Sequence, residues 1–343
     1  MELDLIWFDS MGAKSSCTMV RTADTTILID PGAAIMQPSF PLPMEKKIHY
    51  LSEAERKIKE ASLEADHIVI SHYHYDHLKV GEGAEQLYKN KELWIKDPNQ
   101  WINHSQWGRA REFLKWISKI EGEHLHYTSP KNKVFEDPLN NLPIAASKIP
   151  EYYQDRKEEA IEKWNKRFLK LQNDWTRKRW VETYPTIHFA DSSGFDFGST
   201  KVRFTPPLFH GIEYANTGWI ICTIIEDKDT KFIHTSDIHG PMIEDYAQWI
   251  IDENPNILIL DGPATYLLGY LLNATNLERS IKNAVSIIEE CDLDLMIYDH
   301  HLLRDRHYRE RTARVWETAE EMGINLMTAA EYNGTKPVVF GID

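Results

Sequence analysis

The sequence predicts a fold that mixes short buried strands with amphipathic helices and keeps its chemistry at the carboxyl ends of the strands. Three observations point there. His67-Ile68-Val69-Ile70, Ile257–Leu260 and Leu295–Tyr298 are short continuous apolar runs, the pattern of strands covered on both faces. Stretches of helical periodicity separate them. Finally, four strand candidates end or break at groups that can ligate a metal: His72, a site near His210, Asp237 and His300. One acid or imidazole at a strand end is routine turn chemistry, so the convergence of four carries the argument.

Leu3–Phe8 is the first strand candidate and ends in the turn Asp9-Ser10-Met11-Gly12. Cys17–Thr22 and Thr26–Ile29 read as two strands around a polar turn, the second stopping at Asp30-Pro31-Gly32. Locally, Asp30 reads as a turn residue in preference to a support for a site. After a proline-containing loop over 37–43, Ser52 and Glu55 have capping-box spacing, and Ala54, Ile58 and Ala61 continue at helical intervals. The strand at 67–71 and the stretch Ser71–His77 follow. A strand, helix, strand order with a site at the strand's carboxyl end is a common way to place a ligand.

Residues 98–185 differ in character, holding Trp101, Trp107, Trp116, Trp164, Trp175 and Trp180 of the 11 tryptophans. Ile161, Trp164, Phe168, Leu171 and Trp175 repeat at 3-4-3-4 spacing, while Lys163, Lys166, Arg167, Lys170, Arg177, Lys178 and Arg179 line the other faces. This reads as a helical insertion in a single domain spanning 1–343. The expectation is an aromatic stripe packed on the core with a solvated charged face. A lid over the site and a dimer surface are the sharper alternatives.

The β pattern returns with Lys201–Phe204, and His210-Gly211 follows in a turn. Trp219–Ile225 and Lys231–His234 form a hairpin around Glu226-Asp227-Lys228-Asp229, leading into Ser236-Asp237-Ile238-His239. Ile257–Leu260 ends at Asp261-Gly262-Pro263, a helix over 276–290 has Asn276 as its cap, and Leu295–Tyr298 ends at Asp299-His300-His301. A last helix over 309–322 is closed by Gly323, before a strand at Asn325–Ala329.

Composition narrows the function classes. The chain has 343 residues, 42% hydrophobic, and a formal net charge of −14, which argues against nucleic-acid binding by charge alone. Cys17, Cys222 and Cys291 lie far apart and form neither a disulfide framework nor a C-x-x-C knuckle, as in a reducing cytoplasm. The acidic start Met1-Glu2-Leu3-Asp4 does not resemble a signal peptide, and no apolar segment approaches the ~20 residues that cross a bilayer. A soluble cytoplasmic protein without a membrane partner is expected.

The chemistry concentrates in Ser71-His72-Tyr73-His74-Tyr75-Asp76-His77, which has the pattern H-x-H-x-D-H. With the later His210, with Asp237 after a hairpin strand and with His300 or His301 after a late strand, the chain resembles the metallo-β-lactamase-fold superfamily over nearly all its length outside the insertion. Phe8–Ser15, Ile29–Gly32 and Asp299–Asp305 look like an archaeal branch of predicted metal-dependent hydrolases of unassigned substrate. The resemblance implies an α+β, αββα four-layer sandwich of two mixed sheets. It also implies two divalent metal ions, zinc foremost, with manganese or iron as alternatives. His72, His74 and His210 would bind the first, Asp76, His77 and one of His300 or His301 the second, with Asp237 bridging. Imidazoles suit zinc and carboxylates help to neutralise a second dication. A water bridging two dications is acidified toward neutral pH, and Asp76 would orient the resulting hydroxide.

Spacing does not decide between His300 and His301. Aligning Tyr298-Asp299-His300 with the strand end of nuclease-type relatives favours His300, leaving His301 as a general acid or a packing residue. His239 reads as a turn imidazole ahead of a substrate contact. Asp261 reads as a turn residue or as a hydrogen-bond partner of a ligand imidazole. His104, His124, His126 and His188 read as surface or packing residues.

The resulting expectation is a dinuclear hydrolase acting on a phosphodiester or ester-like bond, with a small-molecule substrate at least as well supported as RNA or DNA. A homo-oligomer stays open. The competing class is a di-iron oxidoreductase on the same sandwich, although such relatives usually carry Glu where this chain has His74. A non-catalytic scaffold would be expected to have lost ligands.

Overall fold

A computed structural model describes all residues except 132, 148–153, 184, 214, 342 and 343, and leaves out the side chains of 154–158, 160 and 161. The first sheet has the order β1 (Glu2–Phe8), β2 (Ser16–Arg21), β3 (Thr26–Ile29), β4 (His67–Ile70), β5 (Glu92–Ile95), β6 (Ile187–Phe189). Its first three strands pair antiparallel and the rest parallel. The second sheet runs β7 (Gly194–Phe197), β8 (Thr200–Phe204), β9 (Thr223–Asp227), β10 (Thr230–His234), β11 (Ile257–Asp261), β12 (Leu295–Asp299), β13 (Asn325–Met327). It is antiparallel through β10 and parallel beyond.

Alternation along the strands builds the layers. Ile27, Ile29, Val69, Ile259 and Ile297 belong to one apolar cluster together with Leu3, Val20, Val202 and Phe232, so both sheets contribute to the central layer. Their neighbours Leu28, Ile68, Ile70, Leu258, Leu260, Met296 and Tyr298 belong to a second cluster shared with the helices. Because both faces are covered, these strands lack polar alternation, which is what made them legible as apolar runs. α1 (Met44–Ser62) and α2 (His104–Glu121) supply Ala54, Ile58, Phe113 and Ile117 to the outer cluster. On the other side α4 (Glu244–Glu253), α5 (Ala274–Glu290) and α6 (Ala313–Met322) supply Ile250, Ala284, Ile287, Ile288 and Val315. The result is the αββα sandwich of two mixed sheets.

The long helix within residues 98–185, α3 (Gln154–Arg177), buries Trp164, Phe168, Leu171 and Trp175, while Lys163, Lys166, Lys170 and Arg177 are exposed. Of the expected seam, the Ile161 side chain lies outside the described residues. Trp164 stacks on Phe168, and Trp175 meets Trp219 edge-on with centroids 5.6 Å apart. The aromatic stripe therefore packs inside the molecule, as its amphipathic pattern required, on the two-residue ribbon Leu208–Phe209 and Trp219–Ile220 that flanks His210.

Several boundaries differ from the sequence reading. α1 begins at Met44, so Ser52 and Glu55 are mid-helix; the buried Lys47 ties its first turns to the Gln37 and Pro38 carbonyls at 2.8 and 3.0 Å. The cap of α5 is Asn273, whose side chain accepts from the Asn276 N–H. The run Trp219–Ile225 is broken at Ile221 and Cys222, its first two residues pairing with Leu208–Phe209 and its last three with β8 and β10. The last helix is divided at Thr312. Among the described residues no helix is long and apolar enough to cross a membrane.

Candidate metal centre

The site lies where β3, β4, β10, β11 and β12 end. Each chain turns sharply there. Asp30, Ser236, His239 and His300 all adopt left-handed backbone, with φ of 52°, 51°, 53° and 56°. A non-glycine residue in that region costs about 1–2 kcal/mol and persists where the surroundings over-determine it. Gly32 completes the packing: a Cβ there would collide with the backbone of His77 and Leu78, so only glycine lets the loop after β3 press against the H-x-H-x-D-H loop.

Asp237 sits at the centre. Its Oδ2 lies 3.0 Å from His210 Nε2 and 3.4 Å from His72 Nε2, while Oδ1 lies 3.1 Å from His77 Nε2 and 3.2 Å from His300 Nε2. His74 Nδ1 is 3.0 Å from His72 Nε2 and 3.2 Å from His210 Nε2. Among the described residues four donor groups result: His72, His74, His210 with Asp237; Asp76, His77, His300; Asp237, His300, His301; and His239, Asp261, His301. The first two divide the donors around Asp237 into two sets. Donors at about 2.0–2.2 Å from one tetrahedral dication stand about 3.3–3.6 Å apart, so this spacing fits shared ions. A second observation agrees. His77 Nε2, His300 Nε2 and Asp237 Oδ1 are buried and make no hydrogen bond among the described residues. The three pair at 3.1–3.2 Å without an aligned hydrogen bond, an arrangement that a shared cation would complete.

The two sets are supported differently. His77 Nδ1 meets Asp30 Oδ2 at 2.8 Å, and His300 Nδ1 meets Asp9 Oδ1 at 3.0 Å. His72 Nδ1 instead meets the Ser71 hydroxyl at 3.0 Å, and that hydroxyl donates to Asp30 Oδ2 at 2.7 Å. Asp30 thus backs both sets, one directly and one through Ser71, and it also accepts the Ser71 N–H at 2.8 Å. This corrects its reading as a turn residue. Local sequence cannot show that the acid ending β3 faces a loop 41 residues later.

The electrostatics follow. Burial, with His77 next, pulls His72 down to about 4, and burial holds His74 well below the ordinary imidazole range. Against burial, Asp237 and Asp30 push His77 up to about 10, and Asp9 and Asp237 raise His300. Asp76 is held low against burial by His77 and Arg304, and Asp237 by the surrounding imidazoles. The negative field that retains protons on His77 and His300 would equally attract a dication in their place.

Arg304 bonds Asp9 through Nε and reaches Asp76 Oδ2 at 3.3 Å through Nη2. His301 lies within ligand range of Asp237 and His300, and its Nδ1 meets Asp261 Oδ1 at 3.0 Å. Asp261 also accepts the His239 N–H at 2.9 Å, and the His239 and His301 rings lie 4.2 Å apart. Asp261 therefore orients an imidazole, though His301 and not His300, and His239 belongs to the site wall. His104 and His188 pair at the surface with Asp174 and Glu92, away from the centre.

The sequence reading passed over Asp9, Ser71, Arg304 and Gln106. Asp9 and Arg304 stand in the two segments that carried the family resemblance, which was the available signal. Gln106 is fully buried and bridges two ligand loops. It accepts from Tyr73 N–H at 3.2 Å and donates to the Thr217 carbonyl at 2.6 Å, while Thr217 bonds the His210 carbonyl at 2.8 Å.

The metallo-beta-lactamase superfamily model matches residues 12–243, most of the chain and the ligand-competent groups from His72 to His239, but not Asp261, His300 and His301. The chain belongs to the metallo-beta-lactamase superfamily. Among curated relatives, the UPF0282 protein of Sulfurisphaera tokodaii is 33% identical over 340 residues, covering 98% of this chain and 89% of that protein. The UPF0282 protein of Methanopyrus kandleri is 29% identical over 338 residues, covering 95% and 92%. A solved structure, a metallo hydrolase from Ignicoccus hospitalis called Igni18, is 11% identical with a TM-score of 0.41, covering 98% of this chain and 95% of that one. That last likeness is one of general shape and brings no chemistry with it.

Proposed function

We propose that this superfamily member is a dinuclear metal-dependent hydrolase that cleaves a phosphodiester or ester-like bond of a small molecule. The observation that carries the reading is Asp237, whose two oxygens each face a separate set of imidazoles at 3.0–3.4 Å. His72, His74 and His210 would hold one ion, Asp76, His77 and His300 the other, with Asp237 between them. Zinc suits this donor set best, and manganese or iron can also occupy it. When bound, two dications acidify water toward neutral pH and polarise the bond to be cleaved.

The chain's own groups do the rest. Asp76, half-buried and held ionised beside Arg304, accepts a hydrogen bond from the attacking water and fixes its direction. His301, with Nδ1 anchored on Asp261, passes a proton to the leaving oxygen. Burial and Arg304 keep its imidazole neutral, while burial and Asp237 push the Asp261 carboxyl well up, so Asp261 holds the proton. His301 Nε2–H protonates the leaving oxygen as Nδ1 takes the Asp261 proton, leaving Asp261 ionised. The nuclease alternative is weakened by the burial of Trp164, Phe168 and Trp175, which removes the aromatic platform that single-stranded nucleic acid would stack on.

The test is a panel of aryl phosphodiesters, aryl esters and lactones, assayed before and after chelation and after return of zinc or manganese. Metal-dependent turnover of one class is expected. His301→Ala should slow substrates with poor leaving groups about 10²–10⁴-fold and activated aryl substrates far less. Equal slowing of both would remove His301 from the proton path, and no metal-dependent turnover across the panel would remove the hydrolase reading.

A further inference from the structure

Beside the two donor sets lie a buried carboxylate and a buried imidazole nitrogen that neither set uses. Asp261 ends β11 with its side chain buried, and it has no Lys or Arg partner among the described residues. Arg304, the buried guanidinium of this region, is engaged by Asp9 and Asp76. Asp261 faces two histidines instead. Its Oδ1 meets His301 Nδ1 at 3.0 Å, and its Oδ2 accepts the His239 N–H at 2.9 Å.

His239 supplies an independent observation. Its Nε2 is buried and makes no hydrogen bond among the described residues. The residue is held at φ 53°, and its ring lies 4.2 Å from that of His301 and 5.0 Å from that of His210. A left-handed backbone at a non-glycine residue persists only where the surroundings hold it, so this imidazole is fixed in place. His239, Asp261 and His301 each offer one ligand atom, and these three atoms lie within 4.8 Å of one another. Two imidazoles and a carboxylate, with solvent in the open position, are a donor set that zinc accepts. A buried nitrogen is costly to leave unpaired, and a cation shared with Asp261 and His301 would pair it.

We infer that His239, Asp261 and His301 form a third divalent-cation site, weaker than the two around Asp237, which takes zinc when the metal is in excess. It is weaker because two dications and Arg304 nearby repel a further positive charge. The site stands on its own donors, while its effect on turnover rests on the hydrolase reading. A cation there displaces the Asp261 proton to solvent and occupies a His301 nitrogen, which blocks the proton path to the leaving oxygen. Excess metal is then an inhibitor.

The test is zinc uptake by the purified full chain in equilibrium dialysis against limiting and excess zinc, for wild type and His239→Ala. Wild type should hold about two ions at limiting zinc and about three at excess, while His239→Ala should stay at about two in both. No extra ion in wild type, or equal uptake by both proteins at excess, overturns the inference. Zinc-edge anomalous diffraction from wild-type crystals at excess zinc places the extra ion however the variant folds. A peak among His239, Asp261 and His301 is expected, and an extra ion found only elsewhere overturns the site. Filling the site should slow substrates with poor leaving groups about 10²–10⁴-fold, as His301→Ala does. Unchanged turnover with the site filled overturns the inhibitory role. A wild type without metal-dependent turnover at limiting zinc removes the hydrolase reading, and the ion count and the anomalous peak still decide the site.

Discussion

The two halves of the candidate metal centre share Asp237 but are built on different principles. In the half formed by His77 and His300, each imidazole leans directly on a buried carboxylate, Asp30 and Asp9. In the half formed by His72, His74 and His210, the support is neutral: His72 meets two serine hydroxyls, and His210 Nδ1 is buried without a hydrogen bond among the described residues. The same residue type is thus pushed in opposite directions, His77 up to about 10 and His72 down to about 4. A carboxylate behind an imidazole raises its basicity as a ligand and fixes its tautomer, so the two halves would differ in how firmly they hold a cation.

That comparison can be tested by ranking substitutions of groups that touch no metal. Asp30→Asn should have the largest effect, because Asp30 supports His77 directly and His72 through Ser71. Metal affinity is expected to fall about 10–100-fold, read by competition with a chelator of known strength. Asp9→Asn should come next, weakening the His300 side while sparing the other; loss of both metals together would show that the halves are not separable. It also frees the buried Arg304, so a drop in thermal stability of about 3–5 kcal/mol should accompany it.

Ser71→Ala should do less. The Asp30 carboxylate stays in place but loses its relay to His72, and a few-fold weakening confined to the first half is expected. A loss as large as that of Asp30→Asn would mean that the hydroxyl, not the carboxylate, is the main support. Gln106→Ala should have the smallest effect on metal. It leaves the Tyr73 N–H and the Thr217 carbonyl unpaired, which should cost about 1–3 kcal/mol in denaturant unfolding. Metal affinity should change little, because His72 and His210 keep their own backbone anchors.

Much of this architecture was legible because its strands are covered on both faces. Ile68–Ile70, Leu258–Leu260 and Met296–Tyr298 read as strands without any alternation to interpret, and their carboxyl ends delivered His72, Asp261 and His300. The donor residues were legible for a related reason, since imidazoles clustered in H-x-H-x-D-H have little use elsewhere. The supports were not. Asp30, Asp9 and Gln106 act on partners 47, 291 and 33 residues away, and an acid at a strand end has the same local signature whether it caps a turn or holds an imidazole. Helix starts failed in a similar way. The capping-box spacing at Ser52 was present, but Lys47 and the Pro43 entry turn placed the true start earlier. The seam of α3 was readable as amphipathic, while its destination, the ribbon flanking His210, depended on tertiary packing.

The central claim is that Asp237 joins two cation sites. Elemental mass spectrometry on purified, zinc- or manganese-reconstituted protein tests it most directly, with Asp237→Ala measured beside the wild type. The account predicts about two metal ions per chain in the wild type and loss of both in the variant, since each half loses the oxygen that faces it. A wild type holding one ion or none, or a variant that keeps both, would contradict it.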